Sequence, residues 1–236
     1  MTAENRGLSR LILLIAVSVL LAGCPDKGAK QATPQLVQAN IGGNNFYIPK
    51  SYLNMPYTSV GSESALIQAW YPGDKVVPGD PDDLWRQKQW YKNVRILISR
   101  VKISSIEPIL ITQQTLFQAT KTVGAEYGLV HYTQLPEGMA DHKDVWIDKS
   151  TSETGVFIAC DHLENTAKIP AVPQCNQQFV IGHYYLQVHY DRRLLPHWQE
   201  LQKHVAGLYN SFQSLQSASA YLKTVTEQPQ QQEESP

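Results

Sequence analysis

Residues 184–212 read YYLQVHYDRRLLPHWQELQKHVAGLYNSF, and a change of period inside this stretch decides the fold. Its first part is dense in Tyr, Leu and Val, which suit a pleated, half-buried strand. Further on, Trp198, Leu201, Val205, Leu208, Phe212 and Leu215 recur at steps of 3, 4, 3, 4 and 3, which sets them on one helical face. Gln199, Lys203, Ser214 and Ser217 fall on the opposite face. Pro196 suits the first turn of this helix, where its missing N–H leaves nothing unbonded. Gly207 weakens a helix by about 1 kcal/mol relative to Ala, so close packing is expected there. A strand that leads into a long amphipathic helix predicts an α+β fold: a mainly antiparallel sheet with the C-terminal helix packed across it.

The preceding chain supplies the sheet. NVRILISRVKI (93–103) alternates after Val94, with a bulge or bend expected near Arg100, where the phase changes. SALIQAWYPG (64–73) reads as a strand ending in a Pro-Gly turn, followed by a polar loop over 73–83. NNFYIPKSYL (44–53) is a short extended piece with Pro49 at its end. YGLVHYTQL (127–135) and KDVWIDKS (143–150) predict neighbouring strands, joined through Pro136 and Gly138. TGVFIACDH (154–162) and CNQQFVIG (175–182) are further strands, and Gly182 marks a bulge or a tight link into the last one. PILITQQTLFQATKTV (108–123) fits either a strand or a short helix.

The N-terminus carries a different signal. Arg6 and Arg10 precede an apolar run, Leu11–Leu21, broken only by Ser18. That run is shorter than the roughly 20 apolar residues that span a bilayer, and its basic flank suits a secretory signal peptide. Leu21-Ala22-Gly23-Cys24 resembles the lipobox of bacterial lipoproteins, in which the cysteine is acylated and the chain is cut before it. The resemblance implies a signal peptide over 1–23, lipidation at Cys24 and membrane attachment through the lipid, facing the periplasm. Asp26 stands third after the cleavage point rather than second, so neither the inner nor the outer membrane is selected. Residues 24–38 then read as a lipid-anchored flexible tether, 39–223 as a single α+β domain and 224–236 as a disordered tail. The region between tether and tail is roughly 185 residues, enough to bury a core.

Charge and cysteines narrow the function. The formal net charge is −1 and no basic stripe is present, which argues against a nucleic-acid partner. With Cys24 lipidated, Cys160 and Cys175 form an even pair in an oxidising compartment, which favours a disulfide. The other reading, a metal site using Cys160, His162, Cys175 and His183, matches no structural zinc spacing. No nucleophile elbow, HExxH or phosphate loop occurs, so nothing calls for an enzyme, a metal or a cofactor. His183 and His189 share the last strand stretch, six residues apart, and can face one side. DHKD (141–144) reads as solvated loop charge, and Asp191, Arg192 and Arg193 as a local ion pair or cap. LWRQKQWYKN (84–93) sets Trp85, Trp90 and Tyr91 among cations. Buried, it is core packing at a strand start; exposed, it has the aromatic anchors that protein interfaces favour.

Several of these pieces recur together: the lipobox, YIPKSYLN after the tether, YGLVHY before DVWID, VFIACD with a cysteine 15 residues on, and the strand-to-helix stretch at the end. In this order the chain resembles periplasmic lipoproteins that act as immunity proteins for type VI secretion phospholipase effectors. The resemblance implies a membrane-anchored inhibitor that binds a cognate phospholipase toxin and performs no catalysis itself. A structural or assembly lipoprotein of the envelope or of a secretion system is the competing class, and a small-ligand binder with an aromatic pocket a third.

Overall fold

A computed structural model describes residues 35–53, 58–73, 90–103, 105–116, 121–133, 143–148, 155–162 and 172–227. Eleven strands are present among them: β1 (Leu36–Ile41), β2 (Asn44–Pro49), β3 (Ser59–Val60), β4 (Ser64–Trp70), β5 (Asn93–Arg100), β6 (Lys121–Glu126), β7 (Leu129–Thr133), β8 (Lys143–Asp148), β9 (Val156–Asp161), β10 (Gln174–Ile181) and β11 (Tyr184–Asp191). The helices are α1 (Glu107–Leu116), α2 (Trp198–Ser211) and α3 (Leu215–Glu227), with 3-10 turns at Lys50–Leu53, Trp90–Lys92 and Arg192–His197. The ambiguous stretch at 108–123 thus divides into α1 and the start of β6. Ordered strand begins at Leu36, inside the stretch read as tether, and α3 runs to Glu227, past the boundary expected at 223.

Nine strands form one antiparallel sheet in the order β3-β4-β5-β11-β10-β9-β8-β7-β6, and β1 and β2 form a separate hairpin. β11, the last of the described strands, lies in the interior of the sheet between β5 and β10. It joins the β3–β5 meander to the β6–β10 meander. The α+β architecture expected from the sequence is therefore present.

The alternation in β5 buries Val94, Ile96 and Ile98 on the side facing α2. Phase is lost after Arg100 because the strand ends there, not because it bulges; the next N–H, of Val101, turns to His183 O at 3.0 Å. β8, β9 and β10 carry continuous buried runs instead of alternation. Both of their faces are covered. Ile158, Cys160 and Phe179 join the main core with α2, while Phe157, Ala159 and Val180 join a second cluster with Ile106 and Leu110, at and beside the start of α1.

The C-terminal segment departs from expectation. Trp198, Leu201, Val205, Leu208 and Phe212 are buried as the stripe predicts, each worth about 1.5–3 kcal/mol of transfer free energy. The helix then stops at Ser211, and Leu215 is 55% exposed. Ser214 Oγ accepts the Ser217 N–H at 3.1 Å and so caps a new helix, α3. The single long helix is in fact two. Pro196 lies in the 3-10 turn ahead of α2 rather than in its first turn. Gly207 is not a close-packing point: a methyl group built there meets nothing within 4 Å.

Two glycines do have steric reasons. Gly182 and His183 form the two-residue link between β10 and β11, with Gly182 at φ +57°. His183 is therefore a turn residue and shares no strand face with His189. In the β1–β2 turn, Gly42 (φ +57°) leaves room for the Arg100 side chain, whose Cγ would lie 2.3 Å from an added Cβ.

Cys160 and Cys175 are paired in register across β9 and β10 and form a disulfide. This takes both sulfurs out of the alternative metal site. Among the described residues, no group of three or more His, Cys, Asp and Glu is placed to hold a metal, and no helix is long and apolar enough to cross a membrane.

Candidate partner-binding site

The pairing of β5 with β11 assembles the site. The 3-10 turn Trp90–Lys92 precedes β5, and its Lys92 carbonyl accepts the Tyr71 N–H at 2.8 Å. β11 ends beside it at Asp191, the N-cap of the next 3-10 turn, whose carboxylate accepts the Arg193 N–H at 2.9 Å. Asp191 is buried, with 3% of its side chain exposed, so its charge needs a partner. Arg193 provides one, with Nε donating to Oδ1 at 2.8 Å and Nη2 to Oδ2 at 3.3 Å. The expected ion pair and cap at 191–193 are both there.

This pairing also fixes the guanidinium against the two sequence-predicted aromatics. Arg193 Cζ lies 4.6 Å from the Trp90 ring centroid and 4.5 Å from that of Tyr91. The two rings stand nearly perpendicular, 85° apart, with centroids separated by 6.3 Å. Each such cation–π contact is worth about 0.5–1 kcal/mol at an exposed site. The hydrogen bonds to Asp191, and then its charge, raise the Arg193 pKa above its ordinary value. Trp90 and Tyr91 are half-buried and the Arg193 side chain is 56% exposed, so the cluster is a surface platform and not core packing. Trp85 and Cys24 lie outside the described residues, as does the loop beyond Gly73.

Arg192 turns the other way. Its Nη2 meets Asp144 Oδ2 at 2.7 Å, its Nη1 donates to Asp161 O, and its Cζ lies 5.3 Å from the Trp146 ring centroid. The other Asp144 oxygen lies 2.6 Å from His162 Nδ1. His131 stacks on Trp146 at 4.4 Å and 9°. Asp144 is 4% exposed, so this part of DHKD is buried network rather than solvated loop; Asp141 and His142 lie outside the described residues. Both Asp144 oxygens are engaged, which suits a structural clamp of β7, β8 and β9 onto the turn that carries Arg193. Sequence reasoning saw none of these histidines as partners of Asp144. The contacts arise from the register of β7 on β8 and of β8 on β9.

A cleft of about 450 Å³ lies beside α2, lined by Tyr71, His204, Gly207 and Tyr221 among others. The Tyr71 and His204 rings are 5.4 Å apart. Burial, and then the Glu200 charge, raise the Tyr71 hydroxyl pKa.

No protein-family model matches the chain, and no curated protein matches it in sequence. The fold has a solved counterpart. Smlt3025, an immunity protein of the Stenotrophomonas maltophilia type IV secretion system, superposes with a TM-score of 0.55 at 18% identity, covering 77% of this chain and 94% of its own. The Neisseria meningitidis iron-regulated outer membrane lipoprotein FrpD gives a TM-score of 0.48 at 15% identity, covering 77% and 96%. At 18% identity the likeness to Smlt3025 is one of fold.

Proposed function

We propose that this chain is a lipid-anchored immunity protein of the bacterial envelope, which faces the periplasm and neutralises a toxin by binding it. The observation that carries this reading is the surface platform of Trp90, Tyr91 and Arg193, the residue types that dominate protein–protein hot spots. It sits on sheet and turn residues fixed before binding, so little ordering cost attends association. An immunity protein with the same fold supports the reading, as does the lipobox-like run ending at Cys24, which would hold the mature chain at the membrane. The toxin we favour is the type VI phospholipase implied by the sequence resemblance. It would be blocked stoichiometrically, without chemistry on the part of this chain.

The test is capture. The full chain, tagged at its C-terminus and extracted in mild detergent from bacteria with active secretion systems, is isolated with whatever it holds. The expected result is one lipase, whose hydrolysis ceases at equimolar inhibitor and which Trp90→Ala binds at least about 10-fold more weakly. A non-lipase toxin keeps the immunity function and replaces its target. Recovery of envelope assembly proteins alone, with no toxin, overturns the proposal in favour of a structural lipoprotein.

A further inference from the structure

Among the described residues, one edge of the Arg193 guanidinium has no hydrogen-bond partner. We propose that this edge receives a carboxylate side chain of the toxin, an inference that rests on the immunity function above. A guanidinium carries five N–H donors in a rigid plane. Asp191 takes the Nε and one Nη2 hydrogen at 2.8 and 3.3 Å. Trp90 and Tyr91 hold the group in the corner between their rings. Among the described residues no hydrogen bond reaches Nη1. Both Nη1 hydrogens and the second Nη2 hydrogen are left, and one Nη1 hydrogen and this Nη2 hydrogen lie side by side at the end of the fork. That end matches the two oxygens of a planar carboxylate.

The surrounding charge selects the anion. Arg193 is already paired with one carboxylate, Arg192 is turned inward to Asp144, and Lys92 is buried. Among the described residues the platform thus offers a single cation that is partly neutralised. A phosphate group, with up to two charges and a tetrahedral shape, would call for more cations than the described residues place there. One planar monoanion, an Asp or Glu side chain, fits both the geometry and the charge. Because Asp191 and the rings fix the guanidinium beforehand, its rotamer entropy is not lost on binding.

Two measurements test this. In the first, the full chain in detergent micelles, isotope-labelled at arginine and tryptophan side-chain nitrogens, is titrated with propionate, propionamide and inorganic phosphate. Saturable shifts of the Arg193 and Trp90 signals are expected with propionate, absent with propionamide and absent in Arg193→Gln. No response to propionate, an equal response to propionamide, or tighter binding of phosphate overturns the inference. In the second, the captured toxin is bound to variants. Arg193→Gln and Arg193→Lys should each weaken binding by at least about 30-fold, the lysine because it cannot form the two-point contact. Unchanged toxin binding by both variants overturns the carboxylate assignment and leaves the immunity function standing. A propionate response in a chain that captures no toxin does the reverse: it ends the immunity function and keeps the carboxylate receptor.

Discussion

Arg192 and Arg193 are adjacent in the chain and opposite in role. At the start of the turn after β11, Arg192 reaches inward to Asp144 and Trp146, while Arg193 folds back on the buried Asp191 and leaves more than half of its side chain exposed. The local half of this was legible: an acid followed by two arginines at a strand end reads as an ion pair and a cap. That Trp90 and Tyr91 would lie against Arg193 was not, because β11 pairs with a strand from about 90 residues earlier and no local pattern encodes that choice. His189 shows the same limit. On the sequence it is one of two like-facing histidines; in the sheet it stands in register between Arg95 on β5 and Asn176 on β10. Burial, and then the Arg95 charge, lower its pKa below the ordinary 6.5. The unfolded chain therefore binds the proton first, and stability rises with pH across the interval between the lowered value and 6.5. Urea unfolding of the wild type should give a lower midpoint at about pH 5 than at about pH 7.5, and His189→Gln should show less of this difference. An equal difference in both proteins would assign the slope to other groups.

At the scale of elements, the helical stripe located α2 and its buried face correctly but concealed its end. Leu215 keeps the period of the stripe although it belongs to the next helix, where it is exposed. The signal that marks the break is polar: Ser214 lies three residues before Ser217 and caps its N–H. Ser217 Oγ in turn donates to Ser211 O at 2.8 Å, closing one of the last carbonyls of α2. The turn lets α3 bring Tyr221 against Phe212 and Tyr52, with ring centroids 5.8 and 6.3 Å away. Gly207 lies inside α2 with open space beside it, so its cost to the helix has no packing return within the described chain. Gly207→Ala should therefore stabilise the fold by about 0.4–1 kcal/mol, through a smaller unfolded-state entropy and better helix propensity. The readout is a higher urea midpoint with an unchanged m-value; a lower midpoint would mean that a neighbour does pack on the glycine.

At the scale of the whole molecule, the sheet is assembled by contacts between distant parts of the chain, and the disulfide stands where several contacts meet. β9 and β10 are joined at Cys160–Cys175, and the same end holds Asp161 Oδ2 to the Gln174 N–H at 2.7 Å and the Arg192 N–H to Pro173 O at 2.9 Å. The bridge thus secures the strand pair that supports the turn bearing Arg193. With Cys24 set aside as the lipobox cysteine, the two remaining cysteines could be read as a pair, whereas the network around them needed the registers. The link spans 15 residues of sequence, a loop worth about 3 kcal/mol in the chain-entropy account. The double variant Cys160→Ala/Cys175→Ala should lose about that amount in urea unfolding under oxidising conditions. Both half-cystines are almost fully buried, at 0% and 1% exposure. Mild reductant should accordingly release no labelled thiol at this pair until denaturant opens the sheet. Labelling of Cys160 or Cys175 in the folded protein would show instead that this end of the sheet opens locally, and that the platform it supports is less fixed than its contacts imply.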